Sequence, residues 1–73
     1  MPRPRFAKLD PERRREILEG AAEEFAAHGF QQASLNHIID ALGLNKGVFY
    51  YYFDGKVDLF AAVMRMVWDT AFR

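Results

Sequence analysis

The residues that most constrain this chain are its helix starts and stops, which divide 73 positions into short segments. Asp10-Pro11 opens the first. An Asp side chain accepts from the free amides of a first helical turn, and Pro at the first helical position gives up no hydrogen bond. Gly29 closes this segment as a left-handed C-terminal stop. Ser34 caps a short second segment that Gly43 ends, Asn45 caps a third, and Asp54-Gly55 breaks the chain before a fourth. Apolar residues recur at helical spacing within the segments. The first carries Ile17, Ala21 and Phe25, joined by Leu18, Ala22 and Ala26; the second carries Leu35, Ile38, Ile39 and Leu42; the fourth carries Val57, Phe60, Val63, Met64, Val67 and Ala71. No stretch alternates as a strand does, so the expected fold is all-α.

A composition 51% hydrophobic and 27% charged suits one small globular domain. The sequence has no Cys, which removes disulfides and thiolate metal sites from consideration. No apolar run approaches a transmembrane span, and MPRPRFAKLD leads into no apolar stretch of a signal peptide, so a cytoplasmic location is expected. Residues 1–9, with Arg3-Pro4-Arg5, read as a flexible basic arm.

The net charge of zero hides a pattern. Residues 1–15 carry six Lys and Arg against Asp10 and Glu12, a balance of +4. Residues 16–44 carry five acids and no Lys or Arg, and residues 45–73 carry four cations against three acids. Basic ends around an acidic middle suit an anionic partner contacted by the ends.

Inside the third segment, Phe49-Tyr50-Tyr51-Tyr52-Phe53 sets five aromatics in a row. On a helix, Phe49 and Phe53 share one face and are the expected core anchors. Tyr50 and Tyr51 then point away, with Tyr52 at the flank. Outward tyrosines join a flat apolar body to a hydroxyl and mark a contact surface. Lys46 lies one turn before Tyr50, and Lys56 opens the next helix; cations beside hydroxyls suit phosphate oxygens. Gly47 lets the backbone approach whatever is bound.

Two short helices joined by a turn at Gly43 make a helix-turn-helix pattern. Ile17-Leu18, Ala22, Phe25, Gly29-Phe30, Ser34-Leu35, Ile38, Gly43-Leu44, Lys46-Gly47, Tyr50, Tyr52-Phe53, Lys56 and Leu59 resemble the DNA-binding domain of TetR-family (tetracycline-repressor-like) transcriptional regulators. The resemblance spans about residues 11–64, and its most specific block is Gly43 to Lys56, G-L-N-K-G-x-x-Y-x-Y-F-x-x-K. It implies a three-helix, homeodomain-like helix-turn-helix domain over residues 10–55. Residues 56–73 would begin a long fourth helix leading to a C-terminal ligand-binding and dimerisation domain that this chain does not contain. It implies a ligand-responsive repressor acting as a homodimer on double-stranded operator DNA, with no cofactor and no enzymatic activity. The recognition helix, about residues 45–52, would enter the major groove with Lys46, Gly47, Val48 and Tyr51 facing base edges. Ser34, Asn45, Tyr50, Tyr52 and Lys56 match positions that hold the phosphate backbone. The sequence departs from the family pattern at Ile39, where a small residue is usual, and at His37, where an acid commonly completes a capping box. Val48 and Tyr51 occupy variable reading positions, so no relative supplies the target sequence.

Other residues carry weaker signals. Ser34 and His37 lack the third group of a catalytic constellation, and a helix cap is the reading for Ser34. His28 near the end of the first helix suits the helix dipole, and no partner for a metal site is evident. Arg13-Arg14-Arg15, interleaved with Glu12, Glu16 and Glu19, reads as a solvated face. Arg3 and Arg5 are candidates for an adjacent minor groove, with an uninvolved arm as the alternative. The rival function is a helical protein-interaction module whose exposed tyrosines receive a partner helix.

Overall fold

Residues 3–72 are described by a computed structural model. Along them run α1 (Pro4–Ala7), α2 (Pro11–Gln32), α3 (Leu35–Ala41), α4 (Lys46–Tyr52) and α5 (Lys56–Ala71), with no strand among the described residues. Met1, Pro2 and Arg73, the outermost residues of the expected arm and fourth helix, lie outside them. The three expected helices of the helix-turn-helix domain are α2, α3 and α4, and the expected fourth is α5.

Pro11 opens α2 as expected, but the Asp10 side chain makes no capping hydrogen bond; Ile17, Ala21 and Phe25 are buried at the expected four-residue spacing. Gly29 does not take the left-handed helical conformation expected of a stop. At φ 77°, ψ 160° it occupies a region essentially reserved for glycine, and a further turn, Phe30–Gln32, follows the kink. Ala33 closes that turn by donating its N–H to Gly29 O at 2.9 Å.

Ser34 Oγ accepts from the His37 N–H at 3.3 Å and caps α3. Gly43, at φ 71°, ends it in a two-bond motif. The Gly43 N–H donates to Asp40 O at 3.0 Å and the Leu44 N–H to Ile39 O at 3.1 Å. Asn45 then caps α4, its Oδ1 accepting from the Val48 N–H at 2.8 Å. Each cap of this kind typically contributes about 1 kcal/mol.

The core lies where α2 meets α5 and the α3–α4 pair closes over them. Ile17, Ile38, Phe49, Phe53 and Leu59 are its largest fully buried side chains. Burying each stabilises the fold by about 1.5–3 kcal/mol relative to exposure. Phe49 and Phe53 stack with centroids 5.3 Å apart, as their spacing predicts. Phe53 itself stands just past α4 in extended backbone. Phe60 completes the aromatic layer edge-on to Phe25 and Phe30, each at 5.0 Å.

The inward face of α5 differs from the expected stripe. Leu59, Ala62 and Val63 are buried, whereas Val57, Met64 and Val67 are exposed. The register is set at the first turn, where Asp58 is buried and its Oδ2 accepts from the Asp54 N–H at 2.9 Å. That bond accompanies the rotation of α5 that buries Leu59, Ala62 and Val63.

The expected flexible arm is also corrected. Pro4 starts the single turn of α1, and Phe6 is buried against Phe53 at 4.8 Å and Tyr52 at 6.0 Å. Arg14 is no solvated residue: its Nη1 donates to Ala7 O at 2.7 Å and Leu9 O at 2.6 Å, capping the carbonyl end of α1. Arg13 and Arg15 do lie on the surface, beside Glu16 at 3.6 Å and Glu19 at 3.9 Å. No helix among the described residues is long and apolar enough to cross a membrane.

Candidate nucleic-acid interface

α4 is seven residues long and has two opposed faces. Phe49 plugs the core, so the residues rotated away from it must face outward. Lys46, Gly47, Val48, Tyr50 and Tyr51 are all exposed, and Tyr52 is half-buried beside Phe6 and Tyr51. The structure therefore brings the four base-facing candidates onto one exposed helix surface. Gly47 has a local role as well. A Cβ there would stand 3.3 Å from Asn45 Oδ1, crowding the atom that caps the helix.

Among the phosphate candidates, Ser34 and Asn45 spend their side-chain oxygens as caps at the starts of α3 and α4. The Ser34 hydroxyl and the Asn45 amide group still have protons to donate. Both residues are exposed, at the ends of the two helices that form the turn motif. Lys56 is held more tightly than a free surface lysine. Its Nζ donates to Gln31 O at 3.5 Å and lies 4.6 Å from the centre of the Phe30 ring. This fixes the ammonium at the first turn of α5, beside the last turn of α2. An ammonium has three donors, so one carbonyl does not exhaust it.

The arm residues part company. Arg3 is committed to the end of α4: its N–H donates to Tyr52 O at 2.9 Å, its Nε to Tyr50 O at 3.1 Å, and its Nη2 pairs with Asp54 at 2.6 Å. These bonds occupy carbonyls in the last turn of α4 that have no partner within the helix. Arg5 instead lies over the Tyr51 ring, 4.4 Å from its centre, on the outward face of α4. The chain's basic start is thus folded onto the aromatic helix. Sequence reasoning missed this strap, although Phe6 and Leu9, two apolar residues within the basic stretch, carried its signal.

Residues 17–63 match the family described as "Bacterial regulatory proteins, tetR family". The chain belongs to the tetR family. Within it, the HTH-type transcriptional repressor AcnR of Corynebacterium diphtheriae is 40% identical over 53 residues, which is 73% of this chain and 28% of that protein. The probable acrEF/envCD operon repressor of Escherichia coli is 40% identical over 47 residues, 64% of this chain and 21% of the relative. The HTH-type transcriptional activator FasR of Mycolicibacterium smegmatis is 37% identical over 54 residues, 74% of this chain and 25% of the relative. This tetR-family chain therefore spans about a quarter of the length of the curated relatives it matches. No solved structure matches it significantly.

Proposed function

We propose that the chain is the sequence-specific DNA-binding domain of a TetR-type transcription regulator, with α4 as its recognition helix. The observation that carries this reading is the division of α4 into a buried Phe49 and an exposed opposite surface of Lys46, Gly47, Val48 and Tyr51. A major groove about 12 Å wide admits such a helix. There Lys46 donates to guanine acceptors, Val48 offers an apolar contact, and Gly47 lets the backbone approach the bases. Tyr51, with Arg5 over its ring, presents a flat edge to the same groove. Ser34, Asn45, Tyr50, Tyr52 and Lys56 hold phosphates and set the register without reading sequence.

In this reading the longer protein is a cytoplasmic homodimer that needs no cofactor and catalyses no reaction. Its C-terminal domain binds a small effector and places two copies of α4 about 34–36 Å apart, one helical turn of DNA. Repression is the outcome favoured, since AcnR and the Escherichia coli relative are both named as repressors. The 73-residue chain alone binds weakly, one half-site at a time.

The test is to sequence DNA fragments selected by the protein from a random pool, and to measure affinity against salt. The expected result is one enriched motif of two-fold symmetry and a linear fall of log affinity with log salt. No enrichment, together with salt-independent behaviour, would transfer the tyrosine surface to a partner helix.

A further inference from the structure

We propose that Glu24, His28 and His37 form a binding site for a divalent transition-metal ion such as Zn²⁺, joining the end of α2 to the first turn of α3. Sequence spacing places Glu24 one turn before His28, but the third ligand, His37, arrives from another helix. Glu24 Oε2 lies 3.6 Å from His28 Nε2 and 3.4 Å from His37 Nε2. One donor atom from each of the three residues falls within 4.8 Å of the others. In a tetrahedral site with bonds of about 2.0–2.1 Å, ligand atoms stand about 3.3–3.4 Å apart. Two of the three separations are therefore already close to those of a bound ion. The third, between two exposed imidazoles whose ring planes are set at 88°, lies within 4.8 Å.

The backbone supports this geometry. Glu24 and His28 are four residues apart on α2, so their side chains share one face. The turn that carries His37 is fixed by the bond from its N–H to Ser34 Oγ. The Glu24 carboxylate is mostly buried while both imidazoles stand toward solvent, so an ion enters from outside and keeps water in its fourth position. Two imidazoles and one carboxylate suit zinc, nickel or copper, whereas magnesium and calcium prefer oxygen donors alone. A bound ion would pin α3, the first helix of the turn motif, to α2. Binding to the folded state alone raises its stability.

The experiment is calorimetric titration of Zn²⁺ into the untagged, metal-free chain, with melting followed by circular dichroism. One Zn²⁺ per chain is expected, with a melting temperature that climbs as Zn²⁺ is added and no competition from excess Mg²⁺. Glu24→Gln, His28→Gln and His37→Gln should each weaken Zn²⁺ binding by more than about tenfold. His37→Gln is the decisive variant, since it keeps the backbone cap and replaces an exposed imidazole by an amide that can still reach Glu24. Its unliganded melt should equal the parent's. Zn²⁺ uptake left intact by His37→Gln, or no uptake by the parent, would overturn the site and leave Glu24 as a contact partner of two histidines.

Discussion

The molecule exposes two aromatic pairs, and they differ in everything except exposure. Tyr50 and Tyr51 on α4 are 44% and 51% accessible; Trp68 and Phe72 at the far end of α5 are 62% and 68%. Each tyrosine carries a hydroxyl, Arg5 lies over Tyr51, and Lys46 stands on the same short helix. Trp68 and Phe72 lie against each other, tilted by 33°, with centroids 4.2 Å apart, and exposed Val67 and Met64 extend the apolar surface. Among the described residues, Arg65 lies one turn before Trp68 and is 3.9 Å from Asp69. Aromatic exposure alone does not indicate nucleic acid. Polar tips and nearby cations make the α4 surface suitable for an anion, and the lack of polar tips on the Trp68–Phe72 pair makes that surface suitable for protein packing.

The largest effect should come from the residue that keeps the α4 face outward. Phe49 is fully buried, and truncating a buried Phe typically costs about 3–5 kcal/mol, comparable to the stability of a domain this small. Phe49→Ala should abolish the cooperative melt seen by circular dichroism, and DNA binding with it. Retention of both would break the link between the buried anchor and the exposed surface.

Next come the residues proposed to read bases. Lys46→Ala and Tyr51→Ala remove exposed side chains, so the melt should stay near the parent's. Base discrimination should fall by about 1–3 kcal/mol at the positions each contacts. Selected-site profiles of variants and parent decide the matter, and unchanged profiles would remove both residues from the reading set. Trp68→Ala, made in parallel, should leave the profile as it is.

Smaller changes should follow at the phosphate positions. Lys56→Ala and Tyr50→Phe should weaken binding to all DNA alike, and Lys56→Ala should flatten the log-log salt slope by roughly one counterion. A loss confined to one operator would assign Lys56 to base reading instead. Because Lys56 also touches Gln31 O, a melt of the variant separates lost phosphate contact from a loosened joint between α2 and α5.

What could be read from sequence tracks how local each determinant is. The caps at Ser34 and Asn45, the turn at Gly43, and the inward Phe49 with outward Tyr50 and Tyr51 all depend on residues within a few positions, and these were legible. The strap from Arg3 to Tyr50, the Arg14 cap on α1, and the joining of His37 to Glu24 depend on side chains from different elements. Periodicity carries no information about such meetings. The rotation of α5 failed for a subtler reason. Val57, Met64 and Val67 are as apolar as Leu59 and Val63, so helical spacing allowed two overlapping stripes. The fold buries the stripe of Leu59, Ala62 and Val63, with Asp58 buried and bonded at its start.

The smallest effect concerns the second aromatic pair. A Trp and Phe paired on a solvent-facing helix end contribute little to the fold that carries them, and exposed substitutions usually change stability by no more than about 0.5 kcal/mol. Trp68→Ala should therefore leave the melt of the 73-residue chain nearly unchanged. The apolar surface around Trp68 instead invites cover by further helical residues, and the relatives are about four times as long as the matched segment. Trp68 is the sole Trp, so its fluorescence reports on this site alone. In the 73-residue chain its emission should be red-shifted and readily quenched by a soluble quencher. In a protein of the relatives' length it should shift to the blue and resist quenching, while Trp68→Ala becomes destabilising. Buried-type emission from both chains would break the contrast between the two aromatic surfaces. Exposed-type emission from both would leave the α5 pair without a protein to pack against.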